Sequence, residues 1–249
     1  MNTHQSPTKS HIGDSPTAPH FKYYDFVMAA FVAVLICSNL IGAAKIAQFF
    51  EFEIFGIQLG VFGAGILFFP LSYVLGDVLT EVYGYARARR VVWAGFVAIG
   101  FMAFMASVVV AMPPAPGWNN QSAYETVFGM TWRIVIASML GFWAGEIANS
   151  FVMARMKIMT AGKHLWSRTI GSTIIGQGID SLIFYPIAFL GIWTTSQVIT
   201  VLITNYILKV LWEVMLTPVT YWVVARLKRA ENVEVFDTQT DFNPFTIKT

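Results

Sequence analysis

Ionisable and amide side chains recur at helical spacing inside the most apolar parts of this sequence. Asp77 and Glu81 stand four residues apart in "YVLGDVLTEVYGYARARR", and Tyr73 lies one further step of four upstream. On a helix the three share one face. Glu146 and Asn149 are three apart in "GEIANS", and Gln177 and Asp180 are three apart in "GQGIDS". Asn205, Lys209 and Glu213 repeat the step of four in "TNYILKVLWEVMLTP", where Lys209 and Glu213 can pair with each other. Asn39 follows Ser38 in the apolar run before them. Carboxylates and amide oxygens accept N–H donors, so this set suits a neutral or cationic nitrogen-rich solute. A buried acid is also able to carry a proton.

The remaining chemistry is narrow. The four histidines, His4, His11, His20 and His164, all lie outside the apolar runs, and there is no H-E-x-x-H. A single cysteine, Cys37, excludes an internal disulfide and a thiolate metal cluster. No P-loop is present, and no nucleophile stands with a histidine partner. The residues therefore predict no enzyme, no metal and no cofactor.

The elements that carry these groups are written in the composition. Of 249 residues, 56% are hydrophobic and 12% charged, against about a quarter charged in soluble domains. A net charge of +2 gives no case for nucleic acid. A helix needs about 20 mostly apolar residues to cross a bilayer. Six windows qualify: residues 24–47, 59–80, 91–112, 132–153, 169–192 and 198–225. The expectation is an all-α membrane protein, a compact bundle of six transmembrane helices. A disordered tail (1–22) would precede the transporter domain (23–229), and a cytoplasmic tail (230–249) would follow it. The link "PPAPGWNNQSAYETVFG" reads as an ordered loop at the membrane surface.

Basic residues fall on alternate links. Lys9 and Lys22 precede the first window, and Arg87, Arg89 and Arg90 follow the second. Arg155, Lys157, Lys163 and Arg168 follow the fourth, and Arg226, Lys228, Arg229 and Lys248 follow the sixth. Cytoplasmic loops retain positive charge, so both termini are expected in the cytoplasm, with "ARARR" as a topology anchor. Lys45 and Arg133 sit where they can snorkel to an interface. A charge at a span centre costs about 2.5–3.5 kcal/mol, whereas Leu, Ile or Phe returns only about 0.3–0.6. The acids and Lys209 therefore face inward, toward one another or toward water. Pro70, Pro186 and Pro218 interrupt or edge the windows, and irregular backbone at membrane depth belongs where it lines a cavity. The glycines of "GFWAG", Gly141 and Gly145, match a small-xxx-small helix contact.

Four stretches resemble one family. "FFPLSYVLGDVLTEVYGYARARRVVW", "GQGIDSLIFYPIAF", "NYILKVLWEVMLTPV" and the terminal "TDFNPF" are similar to the queuosine precursor transporter family, also called the vitamin uptake transporter family. "SNLIGAAK" is similar too, and the likeness covers residues 24–229. The resemblance implies import of 7-cyano- and 7-aminomethyl-7-deazaguanine across the bacterial inner membrane. It places Asn39, Asp77, Gln177, Asp180 and Lys209 in recurring motifs. The expected substrate-binding set is Asn39, Tyr73, Asp77, Glu81, Glu146, Asn149, Gln177, Asp180, Lys209 and Glu213. In it Asp180 or Asp77 would read the guanine edge, Gln177 and Asn39 would complete it, and Phe69, Tyr73, Phe184 and Tyr185 would hold the ring. Lys209 would pair with an acid when no substrate is bound.

Three rival readings compete. A binding subunit of an energy-coupling-factor transporter would dock through small residues such as Ala29 and Ala33. A membrane enzyme would use Asp77 and Glu81. A scaffold would need none of the costly acids. The expected partners are a deazaguanine, the lipid bilayer and, as an open question, a second copy in a homodimer.

Overall fold

The computed structural model describes residues 21–41, 46–48, 53–54, 57–58, 61–63, 67–129 and 132–246. The expected tail 1–22 falls almost wholly outside them, as do Lys45 and Lys248. Seven helices are present among the described residues: α1 (Tyr24–Leu40), α2 (Phe69–Tyr83), α3 (Tyr85–Ala111), α4 (Gln121–Phe128), α5 (Trp132–Met159), α6 (Leu165–Phe189) and α7 (Thr195–Glu231). Between α1 and α2 the chain forms β1 (Ile46–Gln48), β2 (Glu53–Ile54), β3 (Ile57–Gln58) and β4 (Val61–Gly63). β1 pairs antiparallel with β4, and β2 with β3.

The six-helix transmembrane expectation is corrected. The body is an α-helical bundle, but among the described residues three helical segments, not six, are long and apolar enough to cross a membrane: Tyr85–Ala111, Gln121–Met159 and Thr195–Glu231. The physical reasons are local. Residues 46–63 alternate and are rich in β-branched or aromatic types, but they include Gln48, Glu51, Glu53 and Gln58 and carry Gly56, Gly60 and Gly63. Just two residues separate β2 from β3, the spacing of a tight hairpin. The second window therefore starts its helix late, at Phe69, with Pro70 in the first turn, where proline opens a helix rather than interrupting one. At 15 residues α2 is about 22 Å long, short of a hydrocarbon core of about 30 Å. α1 has 17 residues and falls short too. α6 has the length, 25 residues, but Arg168, Gln177 and Asp180 dilute it.

α2 is the axis of the molecule. Twelve of its 15 residues are buried, so every face of it meets another helix. The apolar part of that core joins Phe31 and Leu35 of α1, Val78 and Val82 of α2, Val91 and Ile99 of α3, and Met153 of α5. The outer helices turn large apolar side chains outward, among them Phe101, Phe104, Leu211 and Trp222. The surface loop is partly helical. α4 is held to α3 by the Gln121 amide, which donates to the Val110 carbonyl at 3.0 Å.

The α5–α6 crossing is set by glycine. A Cβ on Gly145 would sit 2.9 Å from the Gly176 carbonyl oxygen, and one on Gly176 would sit 2.8 Å from that of Gly145. The "GFWAG" stripe is thus filled by a helix of the same chain. Gly145→Val has backbone, not a movable side chain, to push against. Overpacking costs about 1–3 kcal/mol and more against backbone. We expect this variant to melt several degrees below wild type in detergent, as read by size-exclusion recovery after heating.

Both ends of the helical body meet. The backbone N–H groups of Lys22 and Tyr23, at the start of α1, donate to the Glu231 carboxylate at the end of α7 at 2.7 and 2.8 Å. Tyr83 at the end of α2 donates to the same carboxylate at 3.1 Å.

Candidate functional site

α2 carries Asp77 to the centre of the helical body, where the residue is fully enclosed. Asn149 of α5 donates its amide to Asp77 Oδ1 at 3.0 Å. Glu146, one turn before Asn149, lies over Gly76; a Cβ there would approach its Oε2 to 3.0 Å. Glu213 of α7, also fully enclosed, brings its carboxyl against that of Asp77. One turn earlier on α2, the Tyr73 hydroxyl donates to Gln177 Oε1 of α6 at 3.4 Å. Four helices therefore converge on one polar centre, and the steps of three and four in the sequence aim each pair at it.

Toward the start of α2 enclosure lessens, and Phe69 is exposed. There Lys209 donates to Asp180 Oδ2 at 2.5 Å, with side chains 15% and 17% exposed. The lysine bridges α7 to α6 instead of pairing with Glu213 along its own helix, the alternative that the spacing also allowed. The Lys209 ammonium also lies 5.6 Å from the centre of the Phe69 ring, which stacks on Tyr73 with planes 8° apart. Phe184 and Tyr185 meet edge to face on α6, and the Asp180 carboxylate packs where Gly141 leaves room. A planar solute entering here would have to part Asp180 from Lys209 and slide against Phe69 and Tyr73.

Two expected site residues are not in this group. Asn39 donates to the Leu35 carbonyl of its own helix at 2.9 Å and accepts from Ser138 at 3.4 Å. Glu81 lies one turn further along α2, in an ion cluster of its own. It contacts Arg168 at 2.9 Å, Lys228 at 2.7 Å and Lys157 at 3.3 Å, and the first and last of these cations are almost wholly enclosed. Lys157 also donates to the Glu81 carbonyl at 2.8 Å, and the Arg168 guanidinium to the Lys163 carbonyl. Residues read from the sequence as topology anchors thus turn inward and tie α5, α6 and α7 to α2. The signal that could have found them was one acid beside three basic links. Arg133 donates to the Ile187 and Leu190 carbonyls and closes the end of α6.

The C-terminal segment closes the same end as Glu81. Gly84 has φ +84°, and a Cβ there would meet Val235 at 2.9 Å. The Asp237 carboxylate accepts from the Tyr85 backbone N–H with both oxygens at 3.1 Å, at the positive end of α3. Arg89, read as part of a topology anchor, donates to the carbonyls of Asp241 and Asn243 at 2.7 and 2.6 Å. Trp93 donates to Pro244 at 2.9 Å, and Arg155 lies over the Phe242 ring at 4.1 Å. A cavity of about 460 Å³ lies between this segment and α3, lined by Arg89, Thr238, Thr240 and Asp241. It is separate from the enclosed acids around Asp77.

Asp241 is held below the ordinary carboxylate range. The Asn243 backbone N–H and the Thr246 hydroxyl donate to it, both at 2.9 Å, and Arg89 adds a nearby positive charge. A depressed folded-state pKa gives stability that is complete above the unfolded value, about 3.9. That stability is lost as pH falls through the lower folded value. Hydrogen exchange in residues 237–246 should therefore rise relative to the helices only below about pH 4, and Asp241→Asn should abolish that change.

Residues 63–223 match the family model described as "Putative vitamin uptake transporter". A "Probable queuosine precursor transporter" of Bacillus subtilis (strain 168) is 32% identical over 199 residues, 79% of this chain and 81% of that protein. The "Queuosine precursor transporter" of Escherichia coli (strain K12) is 24% identical over 125 residues, 50% of this chain and 54% of that protein. A "Probable queuosine precursor transporter" of Haemophilus influenzae is 22% identical over 125 residues, 50% of this chain and 51% of that protein. No solved structure matches the chain.

Proposed function

The chain belongs to the vitamin uptake transporter family, and from that premise we propose that it imports a queuosine precursor of the 7-deazaguanine class across the bacterial inner membrane. Membership makes it a multi-pass membrane transporter and not an enzyme.

The observation that carries the substrate reading is the Asp180–Lys209 pair at the mouth of an aromatic-walled polar centre. A deazaguanine displays a ring N–H beside an exocyclic amine, and one carboxylate accepts from both. Its carbonyl oxygen needs a donor. Lys209 and Asp180 supply donor and acceptor side by side, and Gln177, held by Tyr73, extends the polar edge. The Phe69–Tyr73 stack offers a face for a flat ring. Asp77, Glu146, Asn149 and Glu213 form the floor behind them. Asn39 and Glu81 take structural roles in this reading.

Orientation follows from charge. Glu231 joins the start of α1 to the end of α7, so both sit at one end of the helical body. Arg87, Arg89, Lys157, Arg168 and Lys228 gather at that same end. By the positive-inside rule it faces the cytoplasm, and the Asp180–Lys209 mouth faces away from it.

Uptake of labelled 7-cyano-7-deazaguanine, by cells that lack their own synthesis route, tests the assignment. Wild type should restore uptake, and Asp180→Asn and Asp77→Asn should each reduce it. Normal transport by both variants would remove these residues from the site.

A further inference from the structure

Glu213 is fully enclosed, and no donor reaches either of its carboxyl oxygens among the described residues. Its side chain instead meets that of Asp77, whose Oδ1 is taken by Asn149 and whose Oδ2 has no other partner. The Asn149 amide oxygen beside them is enclosed and unpartnered as well. Ionised carboxylates only accept hydrogen bonds. Two of them can face each other in a dry site only with a hydrogen ion between them.

The surroundings supply no other positive charge. Glu146 reaches the pair from α5, Tyr73 from α2, and Asp180 and Tyr185 border them from α6. Among the described residues Lys209 is the cation that bears on this group, and its ammonium is engaged by Asp180 at 2.5 Å. Asp77, Glu146, Asp180 and Glu213 thus set four carboxyls against one ammonium.

Resting on the transport reading above, we propose that the Asp77–Glu213 pair is a proton-binding site that couples this carrier to a proton gradient. A proton from water on the Lys209 side forms an O–H bond on one carboxyl of the pair. The same bond breaks after the site has turned to the Glu81 side, and the proton leaves with the solute. No electrons change hands. Lys209, one turn from Glu213 on α7, and its partner Asp180 of α6 make solute binding and proton binding sense each other through charge.

Two measurements on the purified full chain test this. The first needs no substrate. Infrared spectroscopy near neutral pH should show a protonated-carboxyl C=O band that is lost in Glu213→Gln and in Asp77→Asn. The second uses liposomes and labelled 7-cyano-7-deazaguanine. Exchange against unlabelled solute inside tests the transport reading alone. An inside-alkaline gradient of about one pH unit should then sustain about tenfold accumulation, a one-for-one equivalence. A protonophore should collapse it. In Glu213→Gln, whose amide can donate to Asp77 as the proton would, the ratio of gradient-driven to exchange flux should fall to the value without a gradient. Absence of the infrared band overturns the proposal whatever the substrate. Accumulation indifferent to the protonophore, or a wild-type ratio in Glu213→Gln, overturns it too. Absence of exchange in wild type sinks the substrate assignment and leaves the infrared result to decide the proton site.

Discussion

Replacing Glu81 with alanine is expected to cost the protein its fold. One enclosed carboxylate answers Arg168 at 2.9 Å, Lys228 at 2.7 Å and Lys157 at 3.3 Å. Removing one partner of a buried pair costs about 3–5 kcal/mol, because the other charge stays behind without compensation. Here Arg168, with its side chain 1% exposed, is stranded, while the enclosed Lys157 is left with Glu234 alone at 2.9 Å. Total stabilities are about 5–15 kcal/mol, so the loss takes a large share. Lys228 is less affected: it is partly exposed and also holds Glu234 at 2.7 Å. The readout is the yield of monodisperse protein on size exclusion after mild detergent extraction, which should fall to a small fraction of wild type. A triple variant, Glu81→Leu with Lys157→Met and Arg168→Met, separates charge stranding from lost packing. Removing a buried ion set together is often neutral, so the triple variant should recover most of the yield. A triple variant as poor as Glu81→Ala would show that the cluster acts through geometry and not through paired charge.

What the sequence could reveal depended on whether a signal was local. The spacing of Tyr73 and Asp77, of Glu146 and Asn149, and of Gln177 and Asp180 is a property of single helices, and it put those side chains on inward faces without any knowledge of the fold. Partner choice is not local. Lys209 and Glu213 are four apart on α7, yet Lys209 bridges to Asp180 of α6, because a pairing across helices and one along a helix leave the same trace in the chain. Basic residues gave a further ambiguity. Lys157 and Arg168 obey a topology rule and also enclose Glu81, and charge pattern alone does not separate the two. Residues 46–47 and 59–63, the inner edges of the first two windows, misled for a different reason. Hydropathy measures burial or lipid exposure, not hydrogen-bond pattern, and an apolar alternating stretch with glycines satisfies it while pairing as strands. The terminal "TDFNPF" was legible as a motif but not as a strap, since its partners Tyr85, Arg89 and Trp93 lie some 150 residues away along the chain.

Asp180→Asn and Lys209→Met, made separately and together, should give the clearest split between folding and transport. Each single change leaves one charge of the pair in a largely enclosed setting, and truncating one partner of such a pair costs about 2–5 kcal/mol. The side chains are 15% and 17% exposed, so water recovers part of that, and the low end applies. About 2 kcal/mol corresponds to roughly 30-fold in affinity. Initial uptake at low substrate concentration should therefore fall by about that factor or more in each single variant. In the double variant no charge is stranded, and an amide faces a thioether of similar size. Its melting temperature in detergent should return close to wild type, with a coupling between the two sites of about 0.5–3 kcal/mol. Uptake should stay as low as in the singles, because neither the carboxylate proposed to accept from the solute's nitrogens nor the ammonium proposed to donate to its oxygen is present. A double variant that recovers stability and transport alike would make the pair a packing element, and would move solute recognition elsewhere in the protein.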